Sequence, residues 1–172
     1  MNSMKNIKIE KLTLNIGAGR DEKVLKRAMK LLKHITGVEP VQTITQKRLA
    51  AWGLRPGLPI GAKITLRDEE VTTALVARLF AAKDNLYKES WFDNHGNISF
   101  GIHEYVDIPD VKYDTEIALL GLQVSITLTR PGFRVKKRKI RKASVGKNQL
   151  ITREDAIGFI TTTFDKVKAE DK

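Results

Sequence analysis

Leu12, Leu14 and Ile16 alternate with Thr13 and Asn15, the period-two pattern of a strand with one buried and one polar face. That run ends at Gly17-Ala18-Gly19, and Asp21 stands where a helix cap is needed. Val24, Leu25, Ala28, Met29, Leu32 and Ile35 then recur at helical spacing, Lys and Arg fill the opposite face, and Gly37 supplies the stop. Alternation predicts two strands, over 41–45 and 61–66, with Gln42, Lys63 and Thr65 on the wet side. The stretch 49–60 between them holds Gly53, Pro56, Gly57 and Pro59. It is too long for a tight turn and reads as a protruding loop.

Asp68 predicts a second cap, followed by Glu69 and Glu70 in the first helical turn and an apolar stripe of Val71, Ala74, Leu75, Leu79 and Ala82, interrupted by Arg78. Residues 93–97 form a turn cluster. After it Ile98, Phe100 and Ile102 alternate with small residues, and Val124, Ile126 and Leu128 alternate with Ser125, Thr127 and Thr129. Thr152 and Asp155 have capping-box spacing ahead of Ala156, Ile157 and Ile160, which build a last helix before a charged tail. Every strand has a polar face, so the expected class is α+β, an antiparallel or mixed sheet with helices packed on one face. A single domain over 1–172 is expected, with the loop at 49–60 and a basic segment at 130–148.

Composition adds a boundary. At 41% hydrophobic and 30% charged the chain is globular, and the absence of cysteine excludes disulfides and thiolate chemistry. No signal peptide and no run of apolar residues long enough to span a membrane is read from the sequence, which predicts a soluble cytoplasmic protein. The net charge of +11 is unevenly distributed. Residues 40–67 hold five basic side chains and no acid, and 117–153 hold ten and no acid, so the rest of the chain sums to −4. Segregation of this kind points to a polyanion.

In the second window Arg130, Arg134, Lys136, Lys137, Arg138, Lys139, Arg141, Lys142 and Lys147 follow one another without apolar periodicity, and Pro131, Gly132 and Gly146 argue against a helix. The expectation is an extended segment that orders on phosphates; a solvated charge run or a localisation signal is the plainer alternative. In the loop, Trp52 beside Arg55 suits stacking on unpaired RNA bases, against the alternative of an indole folded onto the core. Catalytic chemistry finds little support. Gly17-Ala18-Gly19 lacks the third glycine of a dinucleotide motif, with Glu22 in its place. His34, His95 and His103 have no metal-ligand spacing, and His103, Glu104, Asp107 and Asp110 read as a solvated edge. An RNA-processing enzyme and a DNA architectural protein are the competing classes. Neither a cofactor nor a metal is expected.

Leu14-Asn15-Ile16-Gly17, the run Arg55-Pro56-Gly57-Leu58-Pro59-Ile60-Gly61-Ala62-Lys63-Ile64-Thr65-Leu66-Arg67, and residues 93–101 resemble the family of large-subunit ribosomal protein number five, which binds 5S rRNA in the central protuberance. The resemblance covers 9–165, and the basic segment followed by 152–159 is similar to its archaeal and eukaryotic branch, from which Asn148 and Trp52 depart. It implies a structural, ribosome-bound role with no bond made or broken. It further implies rRNA contacts at Asn15, Lys47, Arg48 and Thr65, to which charge and strand pattern add Lys63, Arg134, Lys136, Lys137, Arg138, Lys139, Arg141 and Lys142. Trp52, Gly53, Leu54, Arg55, Pro56 and Gly57 are implied as a loop reaching the P-site tRNA. The expected partners are 5S rRNA, 23S rRNA, that tRNA and a neighbouring 5S-binding protein, with no membrane and no small-molecule substrate.

Overall fold

A computed structural model describes residues 2–164 and 167–169; Met1, Asp165, Lys166 and residues 170–172, which include much of the predicted charged tail, lie outside the described residues. The elements are β1 (Lys8–Gly17), α1 (Glu22–Thr36), β2 (Val41–Ile44), β3 (Pro59–Leu66), α2 (Glu69–Ala81), β4 (Leu86–Tyr87), β5 (Ile98–Ile102), β6 (Leu122–Thr129), α3 (Arg134–Lys137), α4 (Arg153–Thr163) and β7 (Lys168–Ala169). Five strands form an antiparallel sheet in the order β2-β3-β1-β6-β5, and β4 and β7 make a short parallel pair. The α+β class is the one expected. Among the described residues no helix is long and apolar enough to cross a membrane. The chain forms two compact units, one of residues 1–12, 67–100 and 125–172, the other of 13–66 and 101–124, so β1, β5 and β6 each contribute to both.

In the unit of 13–66 and 101–124, α1 starts where Asp21 accepts a hydrogen bond from the Lys23 amide at 2.8 Å and stops at Gly37, whose left-handed φ of 71° few other residues adopt. Leu25, Ala28, Leu31, Leu32 and Ile35 are buried, and the helix packs on β3. Burial of each large aliphatic chain contributes roughly 1.5–3 kcal/mol. In β2 Gln42 is exposed as expected, but the apolar positions are exposed as well. The register sets Val41 opposite Lys63 and Gln42 opposite Ala62, so Val41 lies on the open face, 62% exposed, and Gln42 on the side of the buried Ala62. An edge strand meets water along its margin on both faces, so its apolar positions need not point inward.

In the other unit, Asp68 caps α2 by accepting from the amides of Glu70 and Val71 at 3.1 and 3.4 Å. Its buried stripe is Thr72, Leu75, Val76, Leu79 and Phe80, rotated from the one the sequence suggested, with Val71 and Ala74 exposed. Aromatic packing explains the rotation: Phe80 lies 5.3 Å from Phe100 and 5.8 Å from Phe164, and Trp91 stacks on Phe100 from 4.9 Å. Thr72 is tolerated inside because its hydroxyl donates to the Asp68 carbonyl. The turn at 93–97 closes on Asp93, which accepts from the amides of His95 and Asn97 at 2.7 and 2.8 Å. The capping box of α4 is present as expected, with Thr152 and Asp155 exchanging hydrogen bonds of 3.1 and 3.2 Å.

Candidate nucleic-acid interface

Inward Leu14 and Ile16 on β1 leave Thr13 and Asn15 on the open side of the sheet. Asn15 Nδ2 donates to Gln123 Oε1 at 3.0 Å, and the hydroxyls of Thr13 and Thr65 lie 3.5 Å apart, so these residues share one face. Lys63 extends the same face from β3 and is exposed. Gly61 is required where β3 passes its neighbours: a Cβ there would stand 2.5 Å from the Ile16 carbonyl oxygen and 2.9 Å from Thr43 Oγ1. The result is a surface of small hydroxyl and amide groups with a cation beside them, which offers donors and acceptors to phosphate, ribose or base edges. Gln123 belongs to it and was not singled out in the sequence, although the alternation of β6 places it there.

The loop that follows β2 is internally braced. Thr45 and Leu58 bond through their backbones at 2.9 Å, the Gly57 amide reaches the Thr45 carbonyl at 2.9 Å, and Leu49 and Leu54 exchange two backbone bonds of 3.0 Å. Leu54 is buried and its amide and carbonyl are both taken by Leu49, so it anchors the loop from within. A single 3-10 turn at Ala50–Trp52 carries the indole outward, 69% exposed, rather than onto the core. Lys47, Arg48, Gly53, Arg55, Pro56 and Gly57 are exposed around it. Arg48 and Arg55 line a hollow of about 460 Å³ together with Arg20, Gly53, Ala50, Leu54 and Leu58. Arg20 escaped the sequence reading because Asp21 and Glu22 follow it and cancel the local charge.

In the other unit the basic segment divides into cations held against the protein and exposed ones. Arg130 is 8% exposed; its Nη2 lies 3.0 Å from Asp155 and its Nη1 donates to the Leu150 carbonyl at 2.9 Å. Burial pushes the Asp155 carboxyl up, but its bonds to Thr152 and the nearby Arg130 charge overcome this and hold it below the ordinary carboxylate range. Contrary to the expectation of no helix, α3 makes one turn, with Phe133 buried at its start and Val135 half-buried. Lys136 sits 4.3 Å over the Phe133 ring, Lys137 pairs with Glu10, and Arg138 Nε donates to the Arg141 carbonyl at 2.7 Å. Arg134, Lys139, Arg141 and Lys142 are exposed. Among the described residues no group of three or more His, Asp or Glu side chains is arranged to hold a metal ion.

Residues 2–55 match the family described as Ribosomal protein L5, and 59–159 match the C-terminal segment of the same ribosomal family. The chain belongs to the ribosomal protein L5 family. It is a structural constituent of the large ribosomal subunit and not an enzyme. It is similar to the large ribosomal subunit protein uL5 of Sulfolobus acidocaldarius, 44% identical over 164 residues that cover 95% of this chain and 92% of that one. The uL5 of Nanoarchaeum equitans is 46% identical over 154 residues, 90% of each chain. That of Nitrosopumilus maritimus is 43% identical, with 94% and 92% covered. The two family segments meet at 55–59, inside the braced loop. The residues lining the hollow fall within the first of these segments, except Leu58, which lies between the two.

Proposed function

We propose that the chain binds 5S rRNA, bridges it to 23S rRNA in the central protuberance beside a neighbouring 5S-binding protein, and meets the P-site tRNA through the loop at 49–60. The whole chain serves as one rRNA-binding module in this reading. The observation that carries it is the acid-free window 40–67, which places Lys63 and Thr65 on an open sheet face beside Asn15 and, in the same unit, Lys47, Arg48, Trp52 and Arg55 on a braced loop. Lysine and arginine supply charge, Asn15 and Thr65 supply directional bonds, and Trp52 supplies a stacking surface for an unpaired base. The exposed cations of the basic segment, Arg134, Lys139, Arg141 and Lys142, add phosphate contacts, with Lys136, Lys137 and Arg138 held nearer the protein.

Filter-binding titration against 5S rRNA and an unrelated structured RNA at 50 and 200 mM salt tests this reading. Tighter binding to 5S rRNA at both salt concentrations is expected, with a log-log salt slope of about −6 if some eight phosphates are neutralised. Equal affinity for the two RNAs would reduce the function to generic polyanion binding, and competition by duplex DNA of equal charge would favour an architectural DNA role.

A further inference from the structure

We propose that Arg20, Arg48 and Arg55 form a cradle for one backbone phosphate of a folded RNA, and that Gly53 is the position that lets Arg20 reach it. The proposal rests on the RNA-binding reading above and deepens it by naming a further residue and the group it holds. The three arginines arrive from separate places in one unit, the turn before α1 and the two sides of the braced loop, and border the same hollow of about 460 Å³. Among the described residues no acidic side chain lines it. Among the described residues none of the three guanidinium groups has an ion pair or a side-chain hydrogen bond.

Arg20 is directed there by its surroundings. The amides of Ala18 and Gly19 both donate to the Ile60 carbonyl, at 2.9 and 3.0 Å, which ties the turn carrying Arg20 to the start of β3. Its guanidinium then lies against the bare backbone of Gly53: a Cβ there would stand 2.5 Å from Arg20 Nη1 and 3.0 Å from Cζ. Gly53 also has a φ of 61°, the left-handed conformation that closes the 3-10 turn. One glycine thus serves the turn and the approach of the arginine. Three like charges around one hollow repel each other, and a neutral ligand leaves that repulsion in place. A phosphodiester removes it, because its non-bridging oxygens match the forked N–H donors of guanidinium groups.

The test uses the full chain carrying R20Q, R48Q, R55Q, the R20Q/R55Q double and G53A, with R27Q on the exposed side of α1 as a variant of equal charge outside the hollow. Affinity for 5S rRNA is measured across salt concentrations. R20Q is expected to lose about 5- to 20-fold in affinity and to flatten the log-log salt slope by about 0.7–0.9, the share of one phosphate, with R27Q losing less than half as much. Arg20 and Arg55 share one phosphate in this arrangement, so the double variant should lose less than the product of the two single losses. G53A keeps the charge and displaces the guanidinium, so it should resemble R20Q. Because G53A also strains its turn, the deciding variant is R20Q, at an exposed position where the thermal midpoint should not move. R20Q indistinguishable from R27Q, or a fully multiplicative double variant, overturns the cradle. If the wild-type chain binds 5S rRNA no better than an unrelated structured RNA, the functional reading falls by itself. The same R20Q and R27Q comparison on that unrelated RNA then still decides the cradle.

Discussion

Trp52 has an exposed indole on a turn whose neighbours Leu49 and Leu54 are locked together, so its side chain contributes little to folding and is free for a partner. Replacement by alanine should change stability by no more than about 0.5 kcal/mol, as surface substitutions usually do. Binding should suffer far more, since loss of an aromatic platform removes about 1–3 kcal/mol per stacked base. Thermal unfolding and titration with tRNA, run side by side on W52A, separate the two effects; an unchanged tRNA affinity would take the indole out of the interface. Legibility at this scale was uneven. Trp52 among glycines and prolines announced an exposed loop, and Asn15 followed from simple alternation. Leu54 looked like one more loop residue, because its burial depends on a backbone pairing with Leu49 that no local pattern encodes. Arg20 was hidden by the acids next to it.

Among elements, caps and alternating strands were the most readable, because a cap is a contact between neighbours in sequence and alternation mirrors the pleat. The phase of α2 was not readable, since Val71 and Ala74 are apolar as Val76 and Phe80 are, and the choice was made by Phe100 and Phe164 from elsewhere in the chain. The α4 cap ties a local signal to a distant one through Arg130. Asp155 has a folded pKa held below its ordinary value, so the stability it contributes is present above its unfolded pKa and disappears as pH falls through the folded one. D155N removes the countercharge of the buried Arg130. At neutral pH it should cost about 1–3 kcal/mol, at the lower end because Asp155 is partly exposed. As pH falls below about 4, where the unfolded chain begins to take up the proton that the folded carboxylate still resists, the gap in thermal midpoint between wild type and variant should narrow. A gap of equal size at pH 7 and pH 3 would show that the charge of Asp155 is not what Arg130 requires.

For the molecule as a whole, the net charge of +11 is concentrated where carboxylates are missing, so like charges accumulate on the surfaces assigned to RNA. RNA that binds the folded chain alone must therefore stabilise it, by about 2.7 kcal/mol when its free concentration is 100 times Kd. For a chain of this size that corresponds to a rise in thermal midpoint of roughly 5–11 °C at low salt. Raising salt from 50 to 200 mM lowers the affinity by about 10³ when eight phosphates are neutralised, so at the same RNA concentration the rise should vanish. The unbound chain has no counterions of RNA to release, and its own midpoint should move far less over that range. Differential scanning calorimetry of the chain with and without 5S rRNA at the two salt concentrations measures both quantities. A midpoint shift that survives 200 mM salt would mean that the hydroxyl and amide surface around Asn15 and Thr65, and not the segregated cations, supplies most of the affinity.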